Sequence, residues 1–534
     1  MATPSNSRAL TSHQIARAAL VVLFGFLASG VLGLVRTSAY ASIFGASNVL
    51  DAFVAAQRIP EVLFVLVAGG ALGSAFIPVF SRYLTDPADA PHAWRLASAT
   101  MTLSAGAAAG LSLIAFVAAP FFVPYYVNDP AIQGLTVNLM RIMLLTPFIF
   151  SISGLIMGVL NAHQLFRLPA IAISLYNVGQ IVGAVLITPL LPPLNGGPNI
   201  YGLALGTVLG ALLHLGVQLP GLRGINSRLR INPRLRTDGV GEVLRLMGPR
   251  VLGLAVVQIN FIVNVALSTP MVAGSTTALT IAWTLMFFAL GVIAQSVGTA
   301  LFPSLSALAA ENDINGFRDR LATALRSVLF LALPATVALI LVGEPLIALI
   351  AERGAWGQQA TAATAWALAF FSIGIAGHAL LEVLSRAFYA LSDTWTPVSI
   401  GVGAMVSNIL LSLLFIQFMG EPGNLARGPF AGLALANAIT TLVEGGLLWW
   451  LMSRRIHGLK DALVISATAR TALASLVMGL VLWALNPWLA SYPAFVHLML
   501  AGVAGGGVFF GVAFLLRLDE ARRVPRLLIS RVRR

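Results

Sequence analysis

Fourteen stretches of about twenty predominantly apolar residues follow one another along this chain, beginning near residues 15, 53, 97, 136, 169, 200, 248, 277, 326, 362, 396, 428, 466 and 493. A hydrocarbon core about 30 Å thick needs about 20 apolar residues per helix, and it tolerates only backbones that satisfy their own hydrogen bonds. The pattern predicts an all-α polytopic membrane protein with about 14 transmembrane helices. Composition agrees: the 534 residues are 58% hydrophobic and 10% charged, against roughly 25% charged in a soluble chain. The first run, residues 15–35, is longer than the apolar region of a signal peptide and lacks a convincing cleavage site, so it reads as a retained first span.

Loop charge sets the expected orientation. Lys and Arg total 32 against 19 Asp and Glu, a formal charge of +13, and Lys460 is the single lysine. Arg223, Arg228, Arg230, Arg234, Arg236 and Arg245 fall between the sixth and seventh runs, and Arg454, Arg455 and Lys460 follow the twelfth. Arg522, Arg523, Arg526, Arg531, Arg533 and Arg534 close the chain, whereas loops 192–199 and 268–275 carry no basic residue. Cytoplasmic loops retain basic residues, so an even number of spans puts both termini in the cytoplasm. Short basic loops between apolar runs fit anionic lipid headgroups and argue against nucleic acid. With no cysteine, disulfides, thiolate metal sites and cysteine nucleophiles are all excluded. There is no phosphate-binding G-x-x-x-x-G-K-[ST], no H-E-x-x-H and no soluble domain to hold an active site. The chain is expected to be no enzyme and to need no cofactor.

The chain also repeats itself. Phe76-Ile77-Pro78 closes the second run and Phe302-Pro303 the eighth, an offset of 303 − 78 = 225. Pro169 and Pro397, each seven residues beyond an Ala that closes a run, differ by 397 − 169 = 228, and Arg223 and Arg454 by 454 − 223 = 231. Ordered offsets of this kind predict two pseudo-symmetric six-helix bundles, residues 1–225 and 226–458, followed at 459–534 by two accessory helices and a basic tail.

A charge near the middle of a span costs about 2.5–3.5 kcal/mol or more, so it faces a partner or water. Arg36, Asp51, Arg58, Glu61 and Arg141 are such charges in the first bundle. Arg58 and Glu61, three apart, share a helical face and can pair. That pair is either structural or part of a site, and Arg141 either snorkels to the outer interface or lines it. One carboxylate cannot neutralise both Arg36 and Arg58, which points to a water-filled cavity attracting an anion, with phosphate suited to the guanidinium fork. In the second bundle His378, Glu382 and Arg386 lie at i, i+4 and i+8, as a proton relay or a ladder between helices. Glu444 is a lone carboxylate that could couple transport to an ion. Asn260 with Asn264, and Asn408 with Ser412, are polar pairs one turn apart, of the kind that bridges helices.

Gly33-Leu34-Val35-Arg36, Phe44-Gly45-Ala46, Asp51-Ala52-Phe53 and Arg58-Ile59-Pro60 closely resemble the MurJ (MviN) lipid II flippase family. Ala75-Phe76-Ile77-Pro78, Arg141-Ile142-Met143, residues 301–306, and Arg386-Ala387-Phe388-Tyr389-Ala390-Leu391 with Asp393-Thr394 and Thr396-Pro397 extend the resemblance over essentially the whole chain. It implies a fold of the multidrug/oligosaccharidyl-lipid/polysaccharide exporter superfamily in the bacterial cytoplasmic membrane. It also implies alternating-access transfer of undecaprenyl-pyrophosphate-linked peptidoglycan precursor from the inner to the outer leaflet, coupled to membrane potential, Na+ or H+. In that picture Arg36 and Arg58, with Asp51, Glu61 and Arg141, serve the headgroup, and the last two helices make a groove for the lipid tail. Membrane lipids and cell-wall synthesis proteins are the implied partners.

The chain departs from the family pattern in several places. Arg36-Thr37 stands for Arg-Asp, Gly30 for a frequent arginine, and residues 64–70 for an Arg-rich segment. Thr284 aligns with an essential arginine, and Asn264 and Ser412 with acidic members of a sodium site in which Asn408 matches. Two other readings stay open: export of another polyprenyl-linked glycan or a small molecule, and a non-transporting membrane scaffold.

Overall fold

A computed structural model describes residues 12–67, 70–84, 88–234 and 237–522. It places Arg522 at its end, while Arg236 and the tail arginines Arg523, Arg526, Arg531, Arg533 and Arg534 lie outside the described residues. The chain divides into two compact units, Met1–Pro270 and Met271–Arg534.

The first unit begins with α1 (Ser12–Phe44), α2 (Asn48–Val67), α3 (Gly70–Leu84) and the long α4 (Ala90–Tyr126). Next come α5 (Pro130–Met143) and α6 (Leu145–Ala162), which abut at Leu144. A π-helical turn at Gly183–Ile187 joins α7 (Arg167–Val182) to α8 (Thr188–Leu190). The unit ends with α9 (Tyr201–Gly216), α10 (Leu219–Gly224) and α11 (Val240–Ser268). The second unit starts with α12 (Ser275–Leu290), a π-helical turn at Gly291–Gln295, α13 (Ser296–Ala310) and the long α14 (Ile314–Ala351). It continues through α15 (Gln358–Ile373), α16 (Ile375–Ala390), α17 (Trp395–Phe418), α18 (Ala431–Arg455), α19 (Asp461–Leu489) and α20 (Ala494–Leu515).

Among the described residues, 11 helices are long and apolar enough to cross a membrane, and a twelfth span forms if α15 and α16, bent by 46°, act as one. The fourteen apolar runs exceed this number by two, which correspond to α2 with α3 and to α11. In α2 the reason is charge: it carries Asp51, Arg58 and Glu61, and the helix persists while its hydropathy falls. In α11 the described apolar stretch, Val257–Ser268, is shorter than a span.

The order of helices repeats. α4 and α14 start 314 − 90 = 224 residues apart, α7 and α17 395 − 167 = 228, and α9 and α18 431 − 201 = 230. By position α11 is thus the counterpart of α1, yet it packs on α2, α3 and α4 and belongs to the first compact unit. Asn128 ties it down, donating from Nδ2 to the Ala266 carbonyl at 2.8 Å and from its backbone N–H to Thr269 Oγ1 at 3.1 Å. Arg82 adds an ion pair with Glu242 at 2.5 Å. The basic connection before α11 is pinned as well, since the Arg230 and Asn232 amides donate to Ser98 and Thr102 of α4.

In the second unit α14 is the common packing partner of α15, α16, α19 and α20. The accessory pair closes over it through Phe330, Met478, Leu482 and Phe509. Charges clamp one end: Arg326 meets Asp519 and Glu520 at 3.1 and 2.8 Å, and Lys460 meets Asp319. Before α17, Asp393 accepts from the Thr396 amide and hydroxyl at 3.0 and 2.7 Å and pairs with Arg455. Burial alone would raise this carboxyl, but the Thr396 and Arg455 donors hold it below its ordinary value.

Glycines at four-residue spacing bring α7 and α9 together. A Cβ on Gly183 would stand 2.5 Å from Gly206 Cα, Gly179 lies directly against Gly210, and a Cβ on Gly202 would meet the Thr188 nitrogen at 2.5 Å. Small residues repeated in this way let membrane helices approach backbone to backbone. We expect Gly206→Leu to lower the thermal unfolding midpoint of the detergent-solubilised protein, at a cost of about 1–3 kcal/mol. Gly216→Leu, whose added carbon meets nothing within 4 Å, is expected to leave the midpoint unchanged.

Candidate functional site

The polar site of the first unit is built on α2. Arg58 and Glu61, three residues apart, share one face, and Phe64 follows Glu61 by the same step a little further round the helix, with Pro60 loosening it between Arg58 and Glu61. Arg58 Nη1 pairs with Glu61 Oε2 at 3.0 Å; the Arg58 side chain is 9% exposed and that of Glu61 43%. The Arg58 guanidinium also lies over the Phe261 ring of α11, 5.2 Å from its centroid. Its Nε is buried with no hydrogen-bond partner among the described residues, and the same holds for Arg36 Nε on α1. Arg36 forms no ion pair with any described residue.

Two tyrosines link these charges. Tyr176 of α7 lies within electrostatic reach of both Arg36 and Glu61, and Tyr126 of α4 within reach of Arg58. Tyr126 donates to the Ala55 carbonyl of α2 at 3.3 Å. Arg58 pairs with Glu61, and Arg36 shares with Glu61 an electrostatic influence on Tyr176. Thr37 is buried and turned back on its own helix, donating to the Gly33 carbonyl at 2.9 Å and accepting from the Tyr40 hydroxyl at 3.2 Å.

The other expected site residues are placed differently. Asp51 is buried in the first turn of α2, seven residues and roughly 10 Å along the axis before Arg58. Arg141 lies against α4, where its Nε donates to the Phe116 carbonyl at 3.1 Å and its guanidinium covers the Phe116 ring at 4.9 Å. That carbonyl is the one Pro120, four residues on, has no N–H to satisfy.

Asn264 also belongs to the first unit. It donates to Asn260 Oδ1 at 3.2 Å, while its own Oδ1 is buried without a partner among the described residues. In the second unit Asn408 donates to Thr440 Oγ1 at 3.4 Å, and Ser412 Oγ is buried without such a partner. Glu444 sits against Gly401, its Oε1 3.4 Å from where a Cβ would be. Glu382 pairs with Arg386, whose guanidinium rests on Gly298 of α13, whereas His378 turns away to meet Asn437 Oδ1 at 3.1 Å. Thr284 bonds back to the Thr280 carbonyl at 2.9 Å, beside Trp283 stacked on Phe287. Arg386, the one guanidinium among the expected site residues of the second unit, is thus paired with a carboxylate. Among the described residues no cluster of three or more His, Cys, Asp or Glu could hold a metal ion.

Sequence reasoning missed Tyr126, Tyr176 and Phe261. Tyr126 falls in an aromatic run with Phe121, Phe122 and Tyr125, and Tyr176 and Phe261 stand alone in apolar spans, so none carries a local signal that separates it from packing.

Repeated helical halves crossing a membrane, with a guanidinium-rich polar region among the helices of one half, define a membrane transporter. The model of the family "Lipid II flippase MurJ" matches residues 40–502. The chain belongs to that family. It is 34% identical over 415 residues to lipid II flippase MurJ of Burkholderia cenocepacia, covering 76% of this chain and 79% of that protein. It is 29% identical over 524 residues to a probable lipid II flippase MurJ of Vibrio cholerae, covering 95% and 97%. A solved structure of lipid II flippase MurJ in an inward closed conformation shares the fold at TM-score 0.75 and 22% identity, over 93% of this chain and 99% of that one. An inward-facing multidrug resistance MATE family transporter of the MOP superfamily shares it at TM-score 0.67 and 15% identity, over 81% and 96%.

The Arg141 contact yields a direct test. We expect Arg141→Met to destabilise the detergent-solubilised protein by about 1–3 kcal/mol, the cost of an unsatisfied carbonyl. Pro120→Ala, which restores an N–H to Phe116, should recover most of it. An equal loss on both backgrounds in thermal unfolding contradicts the assignment.

Proposed function

We propose that this chain is a flippase that carries lipid II, the undecaprenyl-pyrophosphate-linked peptidoglycan precursor, from the inner to the outer leaflet of the bacterial cytoplasmic membrane. The observation that carries the site assignment is the pairing of Arg36 and Arg58, each with a buried Nε lacking a protein acceptor, around a single carboxylate. A pyrophosphate supplies the acceptor oxygens that fork-shaped guanidinium groups leave open. The polyprenyl tail need never leave the hydrocarbon; only the polar head needs a protected path. Alternating access between the two repeats, residues 1–225 and 226–458, provides that path.

On this reading both termini and the basic loops face the cytoplasm, in keeping with Arg223, Arg228, Arg230 and Arg234 before α11 and Arg454 and Arg455 after α18. Asp51, buried in the first turn of α2, and Arg141, held by the Phe116 carbonyl, stand apart from the Arg58–Glu61 pair and serve the headgroup elsewhere on its path. The coupling positions are Asn264, Asn408, Ser412, Glu382 and Glu444. The orphaned Asn264 Oδ1 and Ser412 Oγ offer neutral oxygens to a cation such as Na+, and Glu444 offers a carboxylate to Na+ or H+. The protein works as a transporter rather than an enzyme, with cell-wall synthesis proteins as its functional neighbours.

In a leaflet assay of lipid II on vesicles containing the full chain, Arg36→Ala and Arg58→Ala are each expected to slow flipping about tenfold or more, the worth of a charge-assisted hydrogen bond. Arg36→Lys, which keeps charge but loses the fork, should fall between wild type and Arg36→Ala. Wild-type flipping by the double variant contradicts the site.

A further inference from the structure

Next to the charged site stand three aromatic rings that neither pair with it nor vanish into the core. Phe64 of α2, Phe150 of α6 and Tyr176 of α7 are each half-buried. Phe150 is the hub: its ring centroid is 5.0 Å from Phe64 at 53° and 5.4 Å from Tyr176 at 70°. Behind it, His214 meets the Phe150 ring edge to face at 5.2 Å. His214 is itself fixed, with Nδ1 2.6 Å from Ser153 Oγ, which accepts from Gln218 Nε2 at 2.8 Å. Ser153, His214 and Gln218 are all buried, so this polar network holds the hub ring from the rear.

We propose that Phe64, Phe150 and Tyr176 form a stacking wall for the pyranose ring next to the pyrophosphate of the lipid-linked substrate, with Glu61 accepting from its hydroxyls. The inference rests on the lipid II reading above and assigns the saccharide subsite within it.

A sugar ring presents an apolar C–H face and a polar hydroxyl rim, so a site for it needs an aromatic surface beside a fixed hydrogen-bond acceptor. α2 supplies both on one face, the 43%-exposed Glu61 side chain and then Phe64 one turn further. Arg58 to Phe64 is six residues, roughly 9 Å along the helix, which places the wall one sugar unit beyond the phosphate-binding guanidinium. Tyr176 closes the circuit, because it touches Phe150 and stands within electrostatic reach of Arg36 and Glu61. Ring surface beside a carboxylate discriminates by shape and apolar contact.

The test uses the full chain in lipid nanodiscs, with lipid II and saccharide-free undecaprenyl pyrophosphate titrated in parallel. Wild type should bind lipid II more tightly. Phe64→Ala should weaken lipid II binding about three- to tenfold, leave undecaprenyl pyrophosphate binding unchanged and so erase the preference. Phe64→Tyr, which keeps the ring, should retain it, and Arg58→Ala should weaken both lipids. A preference that survives Phe64→Ala, or an equal loss for both lipids, overturns the wall while leaving the flippase reading intact. Wild type that binds neither lipid overturns that reading and the wall with it.

Discussion

The arrangement of the first unit depends on the cost of holding a guanidinium among membrane helices. Arg58 meets that cost with several partial contacts: Glu61 on its own helix, the Phe261 face from α11, and the nearby Tyr126 of α4. The last two bring α11 and α4 against α2. The packing of α11 against the first unit, although by repeat position it matches α1, is the large-scale counterpart of these contacts. Glu61 neutralises one guanidinium, and Arg36 is left over within reach of the same region. A surplus positive charge at that depth is tolerable only where water or an anionic ligand reaches it.

The two halves use the same order of helices for different ends. Arg386 in the second unit pairs with Glu382, and its guanidinium fits over Gly298, while Thr284 is satisfied by its own helix. Intramembrane carboxylate and amide groups remain there, at Glu444, Asn408 and Ser412. The first unit holds Arg36 and the Arg58–Glu61 pair together with Asn264, and the second holds Glu382, Glu444, Asn408 and Ser412.

Much of the fold was legible in the sequence, because helices in lipid obey length and hydropathy. Eleven of the apolar runs emerge as single continuous spans, or twelve with the bent pair of α15 and α16. α2 was harder to classify because the charges that make it interesting also lower its hydropathy. The i, i+3 spacing of Arg58 and Glu61 was enough to anticipate their ion pair, a local property of one helix. Arg141 was not readable in that way: its partner is a carbonyl freed by a proline on another helix, 25 residues away in sequence. Tyr176 was invisible for the same reason. Its place is set by the glycine contacts between α7 and α9, where a Cβ on Gly210 would lie 2.5 Å from the Tyr176 carbonyl oxygen.

The central claim is that Glu61 and its arginine neighbours face a water-accessible space within the membrane. Because the chain contains no cysteine, a single thiol can be introduced without background. Glu61→Cys should react readily with a charged, membrane-impermeant maleimide in intact vesicles, and added lipid II should protect it. Leu113→Cys, at an exposed apolar position on the long α4, should stay unlabelled because lipid covers it. If Glu61→Cys is as unreactive as Leu113→Cys, there is no aqueous site at Arg36, Arg58 and Glu61, and the account fails.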